Sequence, residues 1–168
     1  MAETQMQRSN ATKLEAPRLQ NGRALLIAGL RSHFSHDAIG QIPVLWQRFV
    51  PYTPRIFKRV GQVAYGVCCN SSDTGMDYLA GIEVSACEGL PAEFAVMSLP
   101  AQRYAVFAHR GHVSKINETC AAIFQWFEEH SNQRLAAAGD DCFFERYGED
   151  FNPHTGMGGM EVWVPVKS

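Results

Sequence analysis

Arg23-Ala24-Leu25-Leu26-Ile27-Ala28 and Arg103-Tyr104-Ala105-Val106-Phe107-Ala108 each set an arginine ahead of a short apolar run of strand length. At the same offset Trp46 falls on Trp126 without a gap. With small changes of offset, Val63-Ala64-Tyr65-Gly66 matches Glu145-Arg146-Tyr147-Gly148, and Ile82-Glu83-Val84 matches Met160-Glu161-Val162. Four matches in one order identify an internal duplication, whose copies run from 23 to 88 and from 95 to 167.

Each copy reads as strand, helix, strand, strand. In the second, Tyr104 to Arg110 is a strand, and Ser114 is placed to cap a helix. That helix puts Ile116, Cys120, Ile123, Phe124 and Phe127 on one stripe. Gly139-Asp140-Asp141 is a turn, Phe143 to Tyr147 a strand, and Gly156-Met157-Gly158-Gly159 a return loop. In the last strand Val162, Val164 and Val166 face one side, and Glu161 and Trp163 the other. In the first copy Leu25 to Leu30 is a strand. Pro43 suits a first helical turn, and Pro51 and Pro54 end the helix that carries Leu45, Trp46 and Phe49. Gln62 to Cys69 and Met76 to Ser85 pair as a hairpin. Glu88 to Glu93 is too short a link to separate independent domains. The expected fold is α+β: tandem βαββ units of the SHS2-like kind in one antiparallel sheet. Two helices cover one face and leave a concave aromatic ligand cleft on the other.

Composition narrows the function. The chain has 168 residues, enough for one compact domain, and residues 1 to 20 form a polar leader expected to be loosely ordered. The formal net charge of −2 argues against direct nucleic-acid binding, which needs a surplus of Lys and Arg on one face. No apolar run is long enough to span a bilayer, and no secretory signal is present, so a cytoplasmic location is expected. Five cysteines, an odd number without a C-x-x-C pair, argue for reduced thiols and against a disulfide framework. On this reading Cys120 and Cys142 act as small hydrophobes.

Leu99-Pro100-Ala101, then Tyr104-Ala105-Val106-Phe107, Gly111 and Trp126 form one ordered series. Phe144-Glu145-Arg146-Tyr147 and Glu161-Val162-Trp163-Val164-Pro165 complete it. From about residue 20 onward the chain resembles the GyrI-like, or AraC-type effector-binding, domain family. Trp46, Tyr65-Gly66, and Tyr78 through Gly81 to Glu83-Val84 support the resemblance in the first copy. It implies the tandem βαββ fold found above from the repeat. In many relatives the domain follows a helix-turn-helix, for which some twenty residues are too few, so a stand-alone multidrug-binding member is expected. It also implies a pocket glutamate, here Glu145, that meets lipophilic cations, and pocket aromatics at Tyr65 and Tyr78.

The residues support that assignment independently. Phe143, Glu145 and Tyr147 share one strand face, where a carboxylate among aromatics loses hydration and either takes a raised pKa or awaits a cation. The matching position in the first copy is the aliphatic Val63, so folding does not require an acid there. The alternative is a surface glutamate paired with Arg146 or Arg134. Trp163, Tyr65, Tyr78, Tyr147 and Trp46 are the candidate ligand-binding walls, each with plain core packing as its alternative. His33-x-x-His36 and His109-x-x-His112 lack a third ligand, so no metal and no cofactor is expected. Cys68 and Cys69 point to opposite faces of a strand and cannot chelate together. The leading function is a binding protein for small hydrophobic, often cationic, molecules, used for drug sequestration or effector sensing, with a separate regulator as one conceivable partner. Two alternatives remain open. One is a hydrolase of strained cyclopropanoid compounds with Glu145 as general base; the other is an inhibitor of DNA gyrase.

Overall fold

In a computed structural model, which describes residues 14–130 and 142–167, the chain folds as an α+β domain built on one eight-stranded antiparallel sheet. The strands are β1 (Arg18–Gly22), β2 (Leu25–Phe34), β3 (Arg59–Ser72), β4 (Gly75–Val84), β5 (Ala95–Leu99), β6 (Gln102–His109), β7 (Phe143–Tyr147) and β8 (Met160–Pro165). Helix α1 (Ile42–Phe49) joins β2 to β3, and helix α2 (Ile116–Glu129) follows β6. The spatial order is β1-β6-β8-β7-β3-β4-β2-β5, so the two βαββ units meet at the β7–β3 pair.

Two strands were not expected, β1 ahead of the first copy and β5 at the very start of the second, and they explain the curvature of the sheet. β1 begins at Arg18, inside the stretch expected to be a polar leader, of which residues 1–13 lie outside the described residues. β1 pairs with β6 at one edge, and β5 pairs with β2 at the other. Yet only Arg23 and Ala24 join β1 to β2, and only Pro100 and Ala101 join β5 to β6. So short a connection spans at most about 10 Å, which draws the two edges of the sheet together.

Alternation then sorts the side chains into two cores. The inner face collects Leu25, Ile27, Tyr65, Val67, Leu79, Tyr104, Val106, Phe144 and Trp163, all from strands, so the curled sheet buries this cluster by itself. The outer face carries Ala28, Leu30, Tyr78, Ile82, Phe107, Val162 and Val164. Leu45 and Phe49 of α1 and Ile116, Ile123 and Phe127 of α2 pack on it, which puts both helices on one face. The β8 alternation is as expected, with Val162 and Val164 outward and Trp163 inward.

Pro43 stands in the first turn of α1, and Pro51 and Pro54 fall in the 3-10 segment that ends it. The start of α2 departs from expectation. Ser114 is not its cap: the helix begins at Ile116 after a 3-10 turn, and the His112 ring accepts the Ser114 backbone N–H at 3.1 Å. The expected turn at Gly139–Asp141 lies outside the described residues. Among the described residues no helix is long and apolar enough to cross a membrane.

The expectation of reduced thiols is corrected for two of the five cysteines. Cys69 and Cys142 form a disulfide with a Cα–Cα distance of 4.4 Å. The β3–β7 register aligns Cys68 with Phe143, so the next residues on each strand, Cys69 and Cys142, stand opposite each other. A sequence separation of 73 residues hides this pairing from any local spacing pattern. Cys68 is a free, buried thiol on the opposite, outer face.

Candidate functional site

Glu145 lies at the centre of the sheet, on β7, with its side chain on the outer face between the two helices. It is 5% exposed. The Tyr78 hydroxyl, from β4, donates to Glu145 Oε1 at 2.7 Å, and the Tyr147 hydroxyl donates to the same oxygen at 2.8 Å. The Trp46 indole N–H, from α1, donates to the Tyr78 oxygen at 2.9 Å, and its ring packs edge-on to Tyr147 at 5.5 Å. Three candidate walls from three elements, Trp46 on α1, Tyr78 on β4 and Tyr147 on β7, therefore gather around one carboxyl group.

The position is made possible by a missing side chain. Gly66 on β3 pairs directly with Glu145 across the β3–β7 ladder. A Cβ there would stand 2.0 Å from the Tyr78 hydroxyl oxygen and 2.8 Å from Glu145 Oε1. Glycine within a strand often marks such a close approach. The Tyr65-Gly66 pair was visible in the sequence, but its use was not. The same register corrects the repeat match of Val63 to Glu145: Val63 packs with the inner cluster, whereas Glu145 faces outward.

Burial sets the electrostatics. Desolvation raises the Glu145 pKa above the ordinary carboxyl range, and the two tyrosine O–H bonds offset this only in part. Burial likewise pushes the Tyr78 and Tyr147 hydroxyls well up, reinforced by the neighbouring Glu145 charge. The buried Cys68 thiol and the half-buried Cys120 thiol are raised for the same two reasons. No ion pair reaches Glu145 among the described residues. Arg146 points to the opposite face and sits 3.7 Å from Glu161; Arg134 lies outside the described residues.

Tyr65 and Trp163 do not join this group. Both belong to the inner cluster, on the concave side. There they line a separate cavity of about 480 Å3. Trp126, the repeat counterpart of Trp46, stacks on His130 at 4.2 Å and makes an edge contact with Phe107. His33 contacts Asp77 at 2.8 Å, His36 contacts the Ser72 carbonyl, and His109 bridges Thr119 and the His112 carbonyl.

The fold and this site define the chain as an effector-binding domain of the GyrI-like kind. It belongs to the family of Cass2, integron-associated effector binding protein, whose model matches residues 24–166. The transcriptional regulator BrlR of Pseudomonas aeruginosa is 32% identical over 132 residues, covering 77% of this chain and 47% of BrlR. The chain thus spans about half the length of that curated relative. The structure of SAV2435 bound to tetraphenylphosphonium has a TM-score of 0.71 at 23% identity, covering 91% of this chain and 94% of that one. The integron cassette protein VCH_CASS2 of Vibrio cholerae has a TM-score of 0.66 at 15% identity, covering 92% of this chain and 97% of its own. At these identities the two structures speak for the fold.

Proposed function

We propose that this effector-binding domain takes up small hydrophobic cations at Glu145, between walls formed by Trp46, Tyr78 and Tyr147. The observation that carries the reading is a carboxyl group buried at the middle of the sheet, bonded to two tyrosine hydroxyls and met by no cation among the described residues. Burying an ionised carboxylate without a counter-charge is costly, so a ligand that brings a diffuse positive charge offsets a cost the fold already carries. The three aromatic side chains suit such a guest through their ring faces, each good contact contributing about 0.5–2 kcal/mol. The tetraphenylphosphonium bound by SAV2435 is a compound of this class.

A guest at Glu145 has to displace the cover that α1 provides. This helix has eight residues, no side-chain cap bond at its N-terminus, and 3-10 segments on both sides. Its hold on the site includes one indole N–H bond, from Trp46 to Tyr78. Entry therefore requires shifting a short helix and leaves the sheet intact.

Titration with tetraphenylphosphonium, followed by tryptophan fluorescence, tests the reading. Saturable binding is expected, weakened at least tenfold in Glu145→Gln, which keeps the shape and removes the charge. Absence of saturable binding by wild type across several cationic dyes, or equal affinity in the variant, overturns it.

A further inference from the structure

The concave face holds a second feature with the opposite charge. Its floor is aromatic: Phe144 and Trp163 stack at 5.5 Å with 18° between their planes, and Tyr104 meets both edge-on at 5.4 Å. Tyr65 adds an edge contact to Phe144 at 5.5 Å. Around the mouth stand three guanidiniums, those of Arg18, Arg23 and Arg146. Carboxylates hold them in place. Arg23 makes two bonds to the buried Glu83, one of them at 2.6 Å, and Arg18 lies 2.8 Å from Glu161. Arg146 makes the longest of these ion pairs, 3.7 Å to the same Glu161, and also bonds the Tyr65 hydroxyl. Three guanidiniums against the two carboxylates Glu83 and Glu161 leave one positive charge at the mouth.

We infer that this cavity is a second ligand site, which takes a flat aromatic anion: a two- or three-ring compound with one carboxylate or sulfonate. The volume of about 480 Å3 lies within the range usual for small-molecule sites, about 300–1,000 Å3. A ring laid on Trp163 extends the stack already begun by Phe144. The anionic group then faces planar N–H donors, whose fork geometry matches two oxygens of a carboxylate or sulfonate. Lipophilic cations are disfavoured there by the surplus positive charge. Neighbouring residues of β7 serve the two faces: Glu145 points outward beneath α1, and Arg146 points inward to the cavity. The inference does not depend on what Glu145 binds.

The test uses the whole chain and two probes of nearly the same shape: 1-anilinonaphthalene-8-sulfonate, which is an anion, and the uncharged N-phenyl-1-naphthylamine. Saturable binding of the sulfonate at one site is expected, at least tenfold tighter than the uncharged amine. Arg18→Gln combined with Arg146→Gln is expected to abolish that preference, and excess tetraphenylphosphonium is expected to leave the sulfonate complex intact. Arg18 lies on an edge strand with its side chain 53% exposed, so Arg18→Gln alone preserves folding. That single variant is expected to weaken the sulfonate severalfold with an unchanged circular dichroism spectrum. Equal affinity for the two probes, no effect of either arginine variant on the sulfonate, or its displacement by tetraphenylphosphonium overturns the inference.

Discussion

Glu145 is held against its own solvation, and that has consequences at the scale of the single residue. Its pKa is raised in the fold by burial. A group of this kind supports the fold in its neutral form, at pH values below its unfolded pKa. That support is lost as pH rises through the folded value. Glu145→Gln removes the ionisation while keeping an oxygen to accept from Tyr78 and Tyr147. The variant is therefore expected to exceed wild type in stability at neutral pH by on the order of 1 kcal/mol, with the gap closing on acidification. Urea unfolding of both proteins at pH 4 and pH 8 measures this. Because a bound cation needs the carboxylate, its affinity is expected to fall as pH drops below the raised pKa; a flat pH profile would count against Glu145 as the counter-charge. Gly66 is the second decisive residue. Gly66→Ala places a methyl 2.0 Å from the Tyr78 oxygen and is expected to cost about 1–3 kcal/mol, with Tyr78 pushed away from Glu145. Thermal denaturation reads the first effect and cation titration the second.

At the scale of the element, α1 is the part that must give way. Leu45 and Phe49 anchor it in the outer core at 3% and 1% exposure, so the helix remains attached even where its middle shifts. Trp46 contributes the polar latch. Trp46→Phe keeps an aromatic ring but removes the N–H that reaches Tyr78, and a bond of this kind is worth about 1 kcal/mol. The open form should then be populated about fivefold more often, and association of a cation should accelerate by a similar factor in stopped-flow mixing. An unchanged association rate would mean that Trp46 does not limit entry.

At the scale of the whole molecule, the sheet curls but keeps β1 and β5 as open edges, and a disulfide joins its two halves. Cys69 lies on β3 in the first unit, and Cys142 leads into β7 in the second. In the chain-entropy picture a loop of this length stabilises the fold by about 4 kcal/mol. Reduction by dithiothreitol, or Cys142→Ser, is expected to lower the melting temperature markedly while leaving the far-ultraviolet circular dichroism at room temperature nearly unchanged. Equal melting temperatures before and after reduction would mean that the bond adds no stability. The curled sheet also separates the two aromatic groups: Trp46, Tyr78 and Tyr147 stay on the helix side with Glu145, and Tyr65, Tyr104, Phe144 and Trp163 stay inside the curl.

The duplication, the α+β class, the position of both helices in the chain and the alternation along β8 were legible in the residues, because periods of 2 and 3.6 are local properties. Glu145 stood out for the same reason, as an acid that shares its strand face with Phe143 and Tyr147. Three features rest on contacts between residues far apart in sequence, and only the tertiary structure decided them. β1 and β5 look unremarkable alone and become strands by pairing with β6 and β2. Cys69 and Cys142 meet through a register that no spacing rule encodes. The candidate aromatics divide between two faces because a strand sends neighbouring side chains opposite ways. Which face lies beneath the helices, and which inside the curl, depends on how the whole sheet folds.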